Sequence, residues 1–300
     1  MINQAIKVFV AVVEEKSFTK AAQQLHMTQP AVSSYIKQLE TELNITLVER
    51  STRGIRMNPA GDIYYHHAKE MIALEMRMHQ LILDLQEETK GPIKIGASYT
   101  YGEYILPSML ASLVEKYPGV VPEVQISNSA AIMNGIRSAT LDIGIIEDEI
   151  LNAKVNMTRL LKDEMHVVGN KGFTNRPTRQ SLEEATWLIR EEGSGTRNYQ
   201  EQVFINLKIQ PRTITLSSTQ AIKNAVASGM GISLLSKHTI QHELETGLLK
   251  RINYDNTSLE RHFYLLTPDV RFHSTSTLAM LDVFNSIAIE HHEVSQQFLS

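Results

Sequence analysis

Between Asn58-Pro59 and Gly91-Pro92 the chain carries Tyr64, His67, Met71, Leu74, Met78, Leu81 and Leu85, stepping by three and four residues without interruption. That spacing is one face of a single long helix. Asn58 is suited to cap its N-terminus, Pro59 sits where a missing N–H is harmless, and Gly91-Pro92 stops it. From Pro59 to Glu88 the helix would run about 45 Å at ~1.5 Å per residue. A rod of that length cannot bury its seam against itself, so the same helix of a second chain is the expected partner, making a homodimer. His67 reads as a packed or rim residue and the methionine stripe as core. The rod divides the chain into residues 1–58, a linker over 59–89, and a body over 92–300.

The N-terminal segment is organised around Ser17–Leu43, SFTKAAQQLHMTQPAVSSYIKQLETEL. Thr19 to Leu25 predicts a short helix, with Ala21 and Ala22 allowing a close crossing. His26-Met27 predicts a turn, and Thr28 caps a second helix with Pro30 in its first turn. Val32, Ile36, Leu39 and Leu43 form its core face. The opposite face shows Gln29, Ser33, Ser34 and Lys37, with no acid before Glu40. Short polar groups and one cation suit a DNA major groove, where Gln pairs with adenine and hydroxyls with bases or phosphates. The same residues also fit a solvated helical hairpin. Asn3–Glu15 adds a third helix through Ile6, Phe9, Val12 and Val13, and ITLVERSTRGIRMN adds two short strands around Arg53-Gly54. These strands predict a wing whose Arg50, Arg53 and Arg56 grip the phosphate backbone or enter the minor groove; a solvated basic hairpin is the alternative.

Composition restricts the function classes. With no cysteine in 300 residues, disulfides and thiolate metal sites are excluded, and a cytoplasmic location is expected. No apolar run reaches the length of a membrane span, and MINQAIKVFVAVVEE lacks a cleavage pattern, so no membrane partner is expected. The net charge of −4 hides an asymmetry. Through Asn58 seven bases face five acids, a net of +2, which leaves −6 on the remainder. Only the N-terminal segment is fit to approach phosphates. His66-His67 and His291-His292 lack a third ligand at metal-site spacing, and GSGTR is neither a nucleophile elbow nor a phosphate-binding P-loop. Neither catalysis nor a cofactor is expected.

From Ile93 strands and helices alternate: IKIGAS, ILPSMLASLVEKYP, VQISN, AAIMNGIRSAT and LDIGII, then a second set ending in HFYLLTP and a helix built on Leu278, Leu281, Phe284 and Ile287. This predicts two α/β lobes with a cleft between them, lobe I over about 92–161 and 268–300 and lobe II over about 162–267. Four strand-to-helix loops carry hydroxyls that belong at such a cleft: Ser98 and Thr100, Ser129, Ser194 and Thr196 with Arg197, and Ser218. In Glu192–Arg197 two glycines, two hydroxyls and an arginine meet at one helix start, a nest suited to a small anion. Plain N-capping, with Arg197 paired to a neighbour, explains the same residues.

Taken together, the TQPAVS helix opening, the RSTRG wing, the MNPAG start of the rod and the two-lobed body resemble the LysR-type transcriptional regulators of bacteria. The resemblance spans essentially the whole chain and is most specific from Phe18 to Gly61. It implies a fold that is α/β with an N-terminal all-α winged helix-turn-helix, a long linker helix and a two-lobed effector-binding domain like periplasmic solute-binding proteins. It further implies double-stranded promoter DNA, a small anionic effector, dimers of dimers and RNA polymerase as partners. By position, Thr28, Gln29, Pro30, Ser33, Ser34 and Lys37 match the recognition helix, and Arg50 and Arg53 the wing. Asn58 stands where Thr is frequent; both residues cap helices. REEGSGTR is similar to members tied to sulfur or carbon-fixation metabolism, sulfur being preferred. A solute-binding or sensor protein without DNA recognition would explain Ile93 onward but leave residues 1–58 without a role.

Overall fold

The computed structural model describes residues 3–51, 54–84, 89–149, 155–174, 176–254 and 258–297. Two compact units emerge, one built on Met1–Gln86 and the other on Glu87–Arg137 and Leu141–Ser300.

In the first unit α1 (Gln4–Glu15), α2 (Phe18–Gln24) and α3 (Gln29–Leu43) precede the hairpin β1 (Val48–Ser51) and β2 (Gly54–Met57), and α4 (Pro59–Leu83) follows. Each start has a side-chain cap: Asn3 for α1, Ser17 for α2, Thr28 for α3 and Asn58 for α4. The turn between α2 and α3 places His26 at φ 53°, the left-handed region. Val8, Phe9, Val12, Ala21, Ala22, Val32, Ile36 and Leu39 share one core with Leu47 and Val48 of the wing. Leu43 departs from the expected core face: it is 44% exposed, because α3 ends there and Asn44 turns left-handed. At the start of α4 the backbone passes so close to Leu47 that a Cβ on Gly61 would stand 2.1 Å from the Leu47 carbonyl oxygen. The wing is thereby pressed onto the rod.

At 25 residues α4 is about 37 Å long. Its first turns serve the core: Tyr64 meets Phe9 edge-on at 5.0 Å, and Lys69 pairs with Glu14 at 2.7 Å. Tyr64 therefore leaves the seam. Beyond it Met71, Leu74, Met78 and Ile82 are exposed. Leu85 lies outside the described residues.

The second unit begins with β3 (Gly91–Ser98), α5 (Tyr99–Tyr104), α6 (Leu106–Lys116), β4 (Val120–Ser127), α7 (Ser129–Arg137) and β5 (Ile143–Ile146). β3 lies between β4 and β5, parallel to both. β6 (Val155–Gly169) then leads to α8 (Arg179–Glu184), β7 (Trp187–Ile189), α9 (Gly195–Leu207), β8 (Thr213–Thr215), α10 (Thr219–Ala227), β9 (Ser233–Ser236), α11 (Lys237–Glu245), β10 (Lys250–Arg251), β11 (Ser258–Pro268) and α12 (Thr275–Gln297). Strand β11 pairs antiparallel along its length with β6 from Val155 to His166, and it also pairs with β5 through Tyr264–Leu266. The register of the β6–β11 pair shifts at Phe263/Tyr264, a β-bulge or irregularity in the ladder. The two lobes therefore share one hydrogen-bonded sheet through these strands, where βαβ repetition alone predicts parallel neighbours. Lobe I is closed by Ile93, Ile95, Leu106, Leu113, Met280 and Phe284, and lobe II by Trp187, Ile189, Val203, Ile232 and Leu234. On α12 the buried stripe runs through Ala279, Met280, Val283 and Phe284, while Leu278, expected inside, is 51% exposed. The side chain of Ile287 lies outside the described residues.

Candidate functional site

The outer face of α3 is built by exclusion. Val32, Ile36 and Leu39 hold the helix on the core, which leaves Thr28, Gln29, Pro30, Ser34 and Lys37 exposed and Ser33 half-buried. Gln29 donates from Nε2 to the Ser33 hydroxyl at 2.8 Å, so its amide is already oriented along the helix. Glu40, the first acid of α3, is turned away, accepting the backbone N–H groups of Leu47 and Val48 at 2.8 and 3.2 Å. Glu40 is thus spent on anchoring the wing. In the wing Arg50 pairs with Ile55 through the backbone. Arg53 and the side chain of Arg50 lie outside the described residues.

In the second unit the hydroxyls singled out on the strand-to-helix loops are drawn inward. Ser98, Thr100, Ser129, Ser194 and Thr196 are all 4% exposed or less. Ser218 instead caps α10 through the Ala221 N–H, and its neighbour Thr219 is the buried one, accepting from Arg190 at 3.1 Å. Arg197 reaches Glu201 at 2.5 Å and the Arg190 carbonyl at 2.8 Å. That is the neighbour pairing its position also allowed.

What the loops surround was not legible in the sequence: a charged cluster centred on Arg261 of β11, fully buried. Its Nε donates to Asp163 on β6 at 2.7 Å, Nη1 to Glu147 at 2.8 Å and to Thr196 at 3.0 Å, and Nη2 to Thr100 at 3.1 Å. Glu147 follows β5 in lobe I, yet its Oε2 accepts the backbone N–H of Thr196 at 3.0 Å and the Thr196 hydroxyl at 2.8 Å in lobe II. Ser194, the residue at the cap position of α9, makes no side-chain cap bond. The free amide end and positive dipole of α9 are met by a carboxylate from the opposite lobe. Burial alone would raise the Glu147 carboxyl, but the Arg261 charge and the Thr100 and Thr196 hydroxyls hold it down to about 2. A second arginine, Arg190, lies over the Tyr99 ring at 4.6 Å and pairs with Glu191 at 2.8 Å.

Further ties cross between the lobes. The Ala130 N–H donates to the Gly193 carbonyl at 3.1 Å, Asn128 donates to Glu191 at 3.3 Å, and Asn198 donates to Asp148. A Cβ at Gly195 would stand 2.6 Å from the Cβ of Glu147. Signals for this cluster were weak in one dimension, because Glu147, Asp163 and Arg261 come together only across strands. A lone arginine inside SLERHF and an acid directly after the apolar strand GII were the only hints. Among the described residues no group of three or more potential ligands fits a metal, and no helix is long and apolar enough to cross a membrane.

A helix-turn-helix head with a wing, followed by a two-lobed body with buried polar groups where its lobes meet, defines a ligand-responsive DNA-binding regulator. Residues 3–62 match the bacterial regulatory helix-turn-helix protein, lysR family, and residues 86–287 match the LysR substrate binding domain, so the chain belongs to the LysR family of transcriptional regulators. The HTH-type transcriptional regulator CysL of Bacillus subtilis (strain 168) is 36% identical over 274 residues, covering 89% of this chain and 92% of its own length. The HTH-type transcriptional activator CmpR of Synechocystis sp. (strain ATCC 27184 / PCC 6803 / Kazusa) is 29% identical, with 87% of each chain covered. Among solved structures, the CcmR regulatory domain of Synechocystis PCC6803 in complex with 2-PG aligns with TM-score 0.61 and 26% identity, over 66% of this chain and 98% of that one. Full-length CbnR complexed with its target DNA aligns with TM-score 0.70 over 95% and 99% of the two chains; at 16% identity it shows the shared fold.

Proposed function

We propose that this regulator reads promoter DNA with Thr28, Gln29, Pro30, Ser33, Ser34 and Lys37 and with Arg50 and Arg53 of the wing, and that a small anion bound between its two lobes alters that reading. The observation that carries the effector half is the burial of five hydroxyls on these loops, Ser98, Thr100, Ser129, Ser194 and Thr196, two of which, Thr100 and Thr196, bond Arg261. Side chains of this kind are costly to desolvate unless something satisfies them, and Ser98 Oγ is buried without a partner. The bound 2-PG of the CcmR regulatory domain supports the same chemistry here. The exposed Met71, Leu74, Met78 and Ile82 stripe supports a homodimer through α4, and pairing of dimers follows the family's habit. Two heads per dimer then call for a two-fold related operator.

An anion acts as effector only if it binds the two lobe arrangements unequally. Calorimetric titration of the full-length protein with inorganic and carboxylic anions, repeated with Arg197→Ala and Ser98→Ala, tests the site. Loss of affinity in either variant supports its place in the site, and equal binding by both variants and the wild type removes these residues from it. Footprinting of the promoter beside its own gene, with and without the binding anion, connects the site to DNA.

A further inference from the structure

We infer that Glu147 is a tethered anion occupying the seat of the effector's anionic group, and that it yields this seat to a compact tetrahedral oxyanion. The inference rests on the anion reading above and names the ligand class and the way the site is regulated.

Three donors converge on a single oxygen, Glu147 Oε2: the Thr196 N–H, the Thr196 hydroxyl and the Arg261 guanidinium. These are the groups that a helix start and a buried arginine would present to an incoming anion. The other oxygen, Oε1, is buried with no hydrogen-bond partner, and so is Ser98 Oγ, two residues before Thr100. A carboxylate satisfied at one oxygen only is an incomplete occupant, since the unmade bond keeps its desolvation cost. A tetrahedral oxyanion brings more acceptor oxygens and more charge to the same donors.

The seat cannot hold both anions. Arg261 is already shared between Glu147 and Asp163, so a further negative group beside Glu147 would meet like charge in a dry site. Binding therefore requires Glu147 to leave. Departure has a structural consequence, because Glu147 belongs to lobe I while Thr196 opens α9 of lobe II, and their bonds tie the lobes together. A ligand that expels Glu147 exchanges an internal clasp for its own bridge, which is the differential interaction that a population shift demands. Monocarboxylates offer no advantage over the residue they would displace and are excluded from the wild-type seat.

The test uses full-length protein, with thermal shift and calorimetry in sodium sulfate, sodium phosphate and sodium formate against chloride at matched ionic strength. Wild type is expected to bind sulfate or phosphate saturably and to ignore formate. Glu147→Ala empties the seat, and formate should then stabilise the variant saturably by taking the place of the missing carboxylate. Glu147→Gln keeps the shape without the charge and should raise oxyanion affinity by about tenfold or more, as one charge-assisted competitor is lost. Unchanged oxyanion affinity in Glu147→Gln, with no formate response in Glu147→Ala, overturns the role of Glu147 while leaving an anion site standing. Absence of anion binding in all three proteins overturns the site as well.

Discussion

Gly195→Ala is the perturbation whose consequence the geometry defines most sharply. Gly195 begins α9 with an unstrained backbone, so alanine is acceptable to the local chain and only the space is contested. The added methyl would stand 2.6 Å from Glu147 Cβ, 3.2 Å from Ser129 Oγ and 3.3 Å from Asp148 Oδ2. Carbon atoms pack at about 3.5–4 Å, so the shortfall against Glu147 is roughly 1 Å. The contact joins Cβ to Cβ, so rotating a side chain cannot relieve it. Relief requires α9 to move away from the end of β5, and these belong to different lobes. Overpacking of this kind costs about 1–3 kcal/mol. For a unit of this size each kcal/mol moves Tm by roughly 2–4 °C, giving an expected loss of about 2–12 °C. Differential scanning calorimetry measures the loss, and hydrogen exchange should show the Thr196 amide opening first. The DNA response to the effector anion should also be altered, because the parted arrangement is favoured without ligand. A variant with wild-type Tm, wild-type protection at Thr196 and an unchanged effector response would refute the close approach of the lobes.

Leu74→Lys places a charge on the exposed stripe of α4 and is expected to weaken self-association without lowering the stability of the three-helix core, as read by analytical ultracentrifugation and circular dichroism; undiminished association would show that chains pair elsewhere. In gel-shift assays Gln29→Ala should relax base preference, whereas Arg53→Ala should weaken binding to all sequences and flatten its salt dependence; the reverse outcome would exchange their roles. The Asp148 carboxyl is raised from 3.8 to about 6, chiefly by burial and also by the nearby Glu147, against the opposing bond from Asn198. Its folded form holds a proton more tightly than the unfolded chain, so its contribution grows as pH falls through 6 and is complete below 3.8. A two-unit shift is worth at most about 3 kcal/mol. Thermal stability should therefore rise from pH 7 to 5 in wild type and lose that rise in Asp148→Asn. The opposite sign applies to Glu147: its ionised form stabilises fully above pH 4.5 and is lost toward about 2. An Asn variant with the wild-type pH profile would remove Asp148 from this account.

Local chemistry determined the helix starts and the buried face of α3 in the first unit. Thr28 and Asn58 cap the helices they precede, Val32, Ile36 and Leu39 choose the buried face of α3, and the 3.6-residue period turns Gln29 and Lys37 to the outside. Each of those signals acts over a few residues, so reading along the chain recovers it. The same holds for the alternation of strands and helices in the body. Other features depended on which distant segments meet. Tyr64 left the seam because Phe9 was there to receive it, and Arg197 turned to Glu201 and the Arg190 carbonyl. The positive centre of the body fell to Arg261, inconspicuous in its strand, because β11 crosses between the lobes beside β6 and faces the end of β5. Ionic partners 114 and 98 residues apart along the chain leave no periodic trace in a sequence, for the attraction that selects them acts through space and exists only once the sheet has formed.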